Sequence, residues 1–171
     1  MPKKSYATGQ LKILMGSEIE RKFFVKDMPD VSELTKTSLE RHFLYNAGGI
    51  ELRIQTDGTR FTLQRKTSVS DTERATEQIE LSRSEFDTLK TLAPTSISRD
   101  SYHLADNPKT DLRLYHGAFE GLVRAEFEFE RPEELASFQP PDWVGKEMTG
   151  SPLSRDSWLI KLNPVEFSAL L

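Results

Sequence analysis

Short segments in which apolar and polar residues alternate run along most of the chain and predict β-strands. The clearest are 50–55 (IELRIQ) and 60–66 (RFTLQRK), which flank Asp57-Gly58. An Asp-Gly pair between alternating segments is a strong local signal for a hairpin. Six more strands are predicted at 18–25, 39–45, 74–81, 97–104, 111–115 and 122–130. The pattern therefore predicts eight strands and a mainly β (α+β) fold.

Three helices are predicted beside these strands. Ser82 and Glu85 form a capping box before EFDTLKTL. Asn163 and Pro164 supply the cap and first-turn proline of a helix in PVEFSALL, and Glu166 supplies its third-position acid. The segment PEELASF predicts a short third helix.

Length and composition limit the classes of protein that the chain can represent. Its 171 residues suit one domain; we place it at 15–171, after a tail over 1–14 that is a candidate for disorder. The net charge of −4 gives no basic field for binding nucleic acid. No apolar run approaches the ~18 residues of a membrane span. The absence of cysteine excludes thiolate metal ligands and favours a reducing cytoplasm.

Charged and hydrogen-bonding residues recur at every second position of several predicted strands and so share one face of each strand. In 122–130, Arg124, Glu126 and Glu128 have one parity, and the alternate positions are apolar. The other polar faces carry Glu18, Glu20, Lys22, Glu51, Arg53, Gln55, Thr62, Gln64, Lys66, Arg74, Thr76, Gln78, Glu80, Arg99, Ser101 and His103. Arg21 and Arg65 have the opposite parity, which places them outside this polar surface.

A half-solvated antiparallel sheet explains any one of these polar faces, but the paired acids need more. Two carboxylates two positions apart on a strand lie about 7 Å from each other and repel by roughly 2 kcal/mol at an effective dielectric near 20. Four such carboxylates need a cation or protons. Mg²⁺ and Mn²⁺ prefer carboxylate oxygens and also bind phosphates. Basic side chains opposite the metal would hold those phosphates.

The stretch GSEIERKFFV resembles the Glu-x-Glu-x-Lys signature that opens CYTH domains, also called triphosphate tunnel metalloenzymes. The resemblance continues through FTLQRKT, ERATEQIELSRSEF, LRLYHGAFEGLVRAEFEFERPEEL and PPDWVGKEMTG, and it spans roughly 15–162. It implies a closed eight-stranded antiparallel β-barrel that forms a tunnel, with a few flanking helices. It also implies that acidic residues bind a metal and basic residues grip a triphosphate.

Carried over residue by residue, the resemblance implies a role for each polar position. The metal ligands would be Glu18, Glu20, Glu126 and Glu128, which together with Lys22 would form the catalytic set. The substrate-binding residues would be Lys22, Arg53, Lys66, Arg74, Arg99, Arg113, Arg124 and Glu80. Glu147 matches a further acid that is frequent in the family.

The chain departs from the family pattern at four positions of the expected tunnel. Similar bacterial proteins often have an arginine where this chain has Gln55, a lysine at Gln64, an arginine at Ser101 and an acid at Arg113. Lys66 lies on the same face as Gln64 and could replace the missing lysine. These differences bear on activity rather than on fold.

The prediction for function is a hydrolase of inorganic triphosphate or another short polyphosphate, with Mg²⁺ or Mn²⁺ as cofactor and no nucleic-acid or membrane partner. Two alternatives stay open, an adenylyl cyclase of the CYTH type and a non-catalytic polyphosphate-binding module. Assembly as a homodimer is also left open by the sequence.

Overall fold

The computed structural model describes residues 14–171. Within this range the chain forms nine β-strands, four α-helices and a 3₁₀ turn at Gly117–Phe119. The strands are β1 (Leu14–Val25), β2 (Lys36–Ala47), β3 (Ile50–Thr56), β4 (Phe61–Ser68), β5 (Glu73–Leu81), β6 (Thr95–Asp106), β7 (Lys109–Tyr115), β8 (Val123–Phe129) and β9 (Val144–Glu147). The helices are α1 (Arg83–Lys90), α2 (Glu133–Ser137), α3 (Asp156–Leu159) and α4 (Pro164–Leu170). No helix in the described range is long and apolar enough to cross a membrane.

Eight of the strands close into a barrel. Their order is β1-β5-β4-β3-β2-β6-β7-β8, and β8 pairs with β1 to complete the circle. All of these pairings are antiparallel. The long β1 closes the barrel because its first half pairs with β5 and its second half with β8. The structure therefore confirms the predicted closed eight-stranded antiparallel barrel.

The local signals in the sequence correspond to observed turns and caps. The β3–β4 hairpin turns at Asp57-Gly58, where Gly58 adopts a φ of 90°, a conformation that favours glycine. The capping box of Ser82 and Glu85 starts α1, and Asn163 caps α4. The short helix predicted in PEELASF is α2.

Two elements were not predicted, and the strand boundaries differ. The sequence pattern did not indicate β9, which extends the sheet beside the end of β1, or α3. Several strands also run further than predicted, and β1 begins at Leu14, the last residue of the predicted tail. The rest of that tail, residues 1–13, lies outside the described residues.

Two hydrophobic clusters of the described residues pack against the barrel, whereas charged and polar side chains make up nearly all of the lining of its interior. One lies outside the wall made by β1, β7 and β8, where Phe23 and Phe127 meet edge to face with ring centroids 5.6 Å apart. The other gathers the ends of β2, β6 and β7 with the chain that follows β9, including Leu153, Leu159 and Phe167. This second cluster covers one end of the barrel.

Candidate active site in the barrel

The barrel encloses a charged cavity of about 200 Å³, here called the inner chamber. Among the described residues, nine basic and five acidic side chains line it, an excess of four positive charges in a chain of net charge −4. The basic side chains are Lys22, Arg41, Arg53, Lys66, Arg74, Arg99, Lys109, Arg113 and Arg124, and the acidic ones are Glu18, Glu20, Glu126, Glu128 and Asp156. The lining of the interior is thus predominantly basic although the chain as a whole is acidic.

Eleven of the twelve predicted site residues line this chamber. The twelfth, Glu80, lies further out, in a second cavity that we call the mouth. The mouth is lined by Gln55, Asp57, Arg60, Thr62, Gln78, Glu80, Ser101, His103, Lys109, Asp111, Arg113 and neighbouring residues. Arg21 has the opposite parity on β1 and points away from the chamber. On the outer side of the barrel its Nη2 lies 2.7 Å from Glu147 Oε2. Glu147 therefore does not belong to the tunnel lining.

Lys22 lies between the acidic residues of β1 and β8. The register of the two strands sets Glu20 opposite Glu128 and Lys22 opposite Glu126. Lys22 Nζ is 2.7 Å from Glu20 Oε1 and 4.0 Å from Glu126 Oε1. Burial opposes ionisation of Glu20, but Lys22 and Arg74 outweigh it and hold the pKa of this carboxyl below its usual value.

Glu126 accepts hydrogen bonds from two arginines inside the chamber. Arg113 Nε donates to Glu126 Oε2 and Arg124 Nε donates to Oε1, each at 2.9 Å. Burial raises the pKa of Glu126, yet the neighbouring cations more than offset this and leave the pKa well below its usual value. Glu126 is therefore ionised and fully paired without a metal.

Glu18 is paired with cations on β4 and β5. Lys66 donates to its carboxylate, and Arg74 Nη2 lies 3.5 Å from Glu18 Oε2 and 3.2 Å from Glu20 Oε1. Burial, together with Arg53 and Arg74, lowers the pKa of Lys66 to about 7. The charge of Lys66 thus depends on pH in the neutral range.

Asp156 closes the chamber at the covered end of the barrel. It is the first residue of α3, and its side chain is only 1% exposed. Its carboxylate lies 2.5 Å from Arg41 Nη1, 3.1 Å from Arg124 Nη2 and 3.3 Å from Arg99 Nη1, and it accepts a hydrogen bond from Tyr115 Oη at 2.5 Å. Strand patterns could not reveal Asp156, because it follows the last strand in a segment without periodicity.

Comparison with known proteins identifies this architecture. The chain is 31% identical over 137 residues to an inorganic triphosphatase of Nitrosomonas europaea. This match covers 78% of this chain and 89% of the relative. The chain belongs to the CYTH, or triphosphate tunnel metalloenzyme, family. A stretch of 48 residues, 28% of this chain and 29% of the relative, is 52% identical to an inorganic triphosphatase of Acetivibrio thermocellus.

A solved structure is also similar over most of the chain. The crystal structure of the inorganic triphosphatase NE1496 matches with a TM-score of 0.64 and 27% identity, over 86% of this chain and 96% of that protein. No family model matches the chain. The similarity in sequence and in structure therefore extends over most of the chain rather than over one motif.

Two glutamines of the chamber, at positions where the resemblance led us to expect basic residues, accept hydrogen bonds from arginines. Gln55 Oε1 accepts from Arg41 Nε at 3.0 Å and from Arg41 Nη2 at 2.6 Å. Gln64 Oε1 accepts from Arg53 Nε at 2.9 Å. Each glutamine therefore provides an acceptor that fixes a neighbouring guanidinium.

The four predicted metal ligands have suitable donor chemistry but are engaged by cations. Carboxylate oxygens on adjacent strands are the ligands that a hard divalent ion prefers. Within residues 14–171, however, no three acidic or histidine side chains are gathered into a coordination sphere. Glu128 is the most accessible of the four, with its side chain 35% exposed and paired with Lys109 at 2.7 Å. The carboxylate oxygens of these residues therefore suit a divalent ion, which would have to displace the lysine and arginine partners in order to bind.

Proposed function

We propose that this protein is a divalent-metal-dependent phosphohydrolase that cleaves inorganic triphosphate or another short polyphosphate in the tunnel. The observation that carries the proposal is the inner chamber, whose lining has four more basic than acidic side chains although the whole chain is acidic. Because the chamber is enclosed, its charges are weakly screened and attract a compact polyanion strongly.

The substrate phosphates would be held by the basic residues of the chamber. Arg53, Arg74, Arg99, Arg113 and Arg124 present planar forks of N–H donors, the geometry that suits phosphate oxygens. Lys22 and Lys66 add compact charges beside the acidic pairs. Phosphoryl transfer requires mainly positioning and neutralisation of charge, and this lining supplies both.

Glu18, Glu20, Glu126 and Glu128 would hold Mg²⁺ or Mn²⁺. The bound ion would neutralise phosphate charge and orient the attacking water. Buried hydrogen-bonding groups without a partner support a polar ligand in the tunnel: within the described residues, Arg99 Nε in the chamber and Thr62 Oγ1 and Ser101 Oγ in the mouth have none. A bound phosphate chain and its water would satisfy such groups.

The size and lining of the chamber favour a phosphate chain over a nucleotide. A volume of about 200 Å³ equals roughly seven water molecules at about 30 Å³ each. No aromatic side chain lines the chamber among the described residues, so a nucleobase would find no stacking partner there. An adenylyl cyclase is therefore the weaker alternative. We also propose a cytoplasmic location, which the absence of cysteine supports.

The deciding experiment compares tripolyphosphate, ATP and long-chain polyphosphate with Mg²⁺, with Mn²⁺ and with excess EDTA. We expect orthophosphate release from tripolyphosphate, dependence on the metal, and an increase in melting temperature when the metal binds the folded state. Cyclic AMP formation from ATP would instead identify a cyclase. Tight binding of tripolyphosphate without release of phosphate under any metal condition would identify a non-catalytic module.

A further inference from the structure

The chain after β9 folds back over one end of the barrel and is held there by residues of the chamber. Lys22 Nζ donates to the backbone carbonyl of Ser154 at 2.8 Å, and Arg124 Nη1 donates to that of Leu153 at 3.0 Å. On the outer side, Arg155 donates to Ser68 Oγ at 2.7 Å. These contacts fix the segment that carries Asp156.

Asp156 receives the set of contacts that a phosphate group would receive. Three guanidinium groups, those of Arg41, Arg99 and Arg124, and the hydroxyl of Tyr115 converge on its carboxylate. Arginine forks and hydroxyl donors bind carboxylate and phosphate oxygens with similar geometry. The innermost anion position of the tunnel is therefore occupied by a residue of the protein itself.

The other end of the phosphate path also has a limit. Besides His103, which pairs with Asp111, three lysine or arginine and three acidic side chains line the mouth among the described residues, so their formal charges cancel: Arg60, Lys109, Arg113, Asp57, Glu80 and Asp111. A side cavity beside Trp158 touches Lys66 and Arg74, but its volume of about 40 Å³ is close to that of one water molecule. The region of net positive charge has one covered end and one neutral end.

We propose that Asp156 is a specificity-determining residue that ends the phosphate path and sets the length of polyphosphate that the tunnel accepts. The inference rests on the proposed function. The innermost phosphate of a short chain binds just outside Asp156, where Arg99, whose Nε has no hydrogen-bond partner among the described residues, also lines the chamber. An additional phosphate must either displace the Asp156 carboxylate, which leaves that buried charge without its arginines, or extend into the mouth, which has no excess of lysine and arginine over acid.

The test compares Asp156→Ala, Asp156→Asn and the matched control Asp87→Asn, which removes one negative charge from the exposed helix α1. The probes are pyrophosphate, tripolyphosphate and tetrapolyphosphate, with kcat/KM measured in Mg²⁺ and Kd measured by calorimetry in EDTA. For Asp156→Ala we expect the preference for tetrapolyphosphate over tripolyphosphate to rise at least 10-fold. Asp156→Asn, which keeps the shape but not the charge, should give a smaller rise, and the control should match the wild type.

An unchanged chain-length preference in a folded Asp156→Ala protein would overturn the inference. Because removal of Asp156 leaves three arginines without their anion, folding is checked by adding orthophosphate, which should raise the melting temperature of Asp156→Ala more than that of the wild type. Failure to fold even with orthophosphate would mean that Asp156 is structural, and this also overturns the inference. If the wild type binds polyphosphate without hydrolysing it, the proposed function fails while the Kd series still tests Asp156.

Discussion

Replacing Glu126 by glutamine is expected to destabilise the metal-free protein, whereas the same change at Glu128 should have little effect. Counting charges along the strands predicts instead that either change stabilises the protein, because removing one of four clustered negative charges relieves repulsion. In the structure, however, Arg113 and Arg124 donate to Glu126 inside the chamber, and Glu128 pairs with Lys109 near the mouth. Removing the charge of Glu126 would therefore leave Arg113 and Arg124 without their carboxylate partner.

The expected magnitudes follow from burial. The side chain of Glu126 is 10% exposed and that of Glu128 is 35% exposed. Removing one partner of a buried ion pair costs about 3–5 kcal/mol, and glutamine keeps one acceptor oxygen, so we expect about 3 kcal/mol for Glu126→Gln. A solvent-exposed pair contributes about 0–1 kcal/mol. In a domain of this size about 1 kcal/mol shifts the melting temperature by about 2–4 °C, which gives a fall of about 6–12 °C for Glu126→Gln.

The assay is thermal unfolding followed by circular dichroism in EDTA, with Glu128→Gln as the matched control. Burial disfavours ionised Glu126, but Arg113 and Arg124 lower its pKa well below the usual 4.5. The stabilisation is therefore present above about pH 4.5 and is lost as the pH falls through the lower folded-state pKa. The gap between Glu126→Gln and the wild type should shrink in acid. A Glu126→Gln protein that melts at or above the wild-type temperature at pH 7 would refute this reasoning.

Three further predictions concern substrate binding, pH and folding. Replacing Arg53 and Lys66 together by alanine should raise the Kd for tripolyphosphate at least about 10-fold, since a hydrogen bond to a charged group contributes about 1.5–3 kcal/mol; equal effects of the outward-facing control Arg65→Ala would argue against the assigned lumen face. Because the pKa of Lys66 is lowered to about 7, kcat/KM should decline as the pH rises through that value, and Lys66→Arg should move the decline to higher pH. A pH profile unaffected by Lys66→Arg would contradict this role. Ser82→Ala should remove the cap of α1 and cost about 1 kcal/mol in thermal unfolding while leaving the calorimetric Kd for tripolyphosphate unchanged.

The barrel and most of its lining could be predicted from the sequence because both depend on short-range rules. Alternation with a period of two fixes which side chains share a face, so the sequence alone places the acids of β1 together and the arginine and acids of β8 together, and these faces line the chamber. The same rule does not assign Arg41 to the chamber lining, because Phe43, which shares its parity on β2, packs in the apolar cluster at the covered end. A bulge before Tyr45 then breaks the alternation of β2.

Asp156 and the pairing of charges could not be predicted from the sequence for a different reason. Asp156 meets Arg41, Arg99 and Arg124 through contacts between residues 32 to 115 positions apart in the chain. The sequence shows which side chains carry positive and negative charges, but it does not show how far apart these charges lie in the folded barrel. Clustered acids therefore appeared to need a metal, whereas in the barrel Lys22, Arg113 and Arg124 already neutralise them.

If the chamber binds a metal and a polyphosphate as proposed, its ion pairs would link the two binding events. Lys66 and Arg74 neutralise Glu18, and the same two side chains are proposed to bind phosphate. A polyphosphate that draws these cations to its own oxygens would leave Glu18 and Glu20 less neutralised and would increase their attraction for a divalent ion. By reciprocity, a metal bound to the acids would release the cations to the phosphate. The lack of a preformed metal cluster within residues 14–171 is then consistent with metal dependence, because each ligand frees the groups that the other requires.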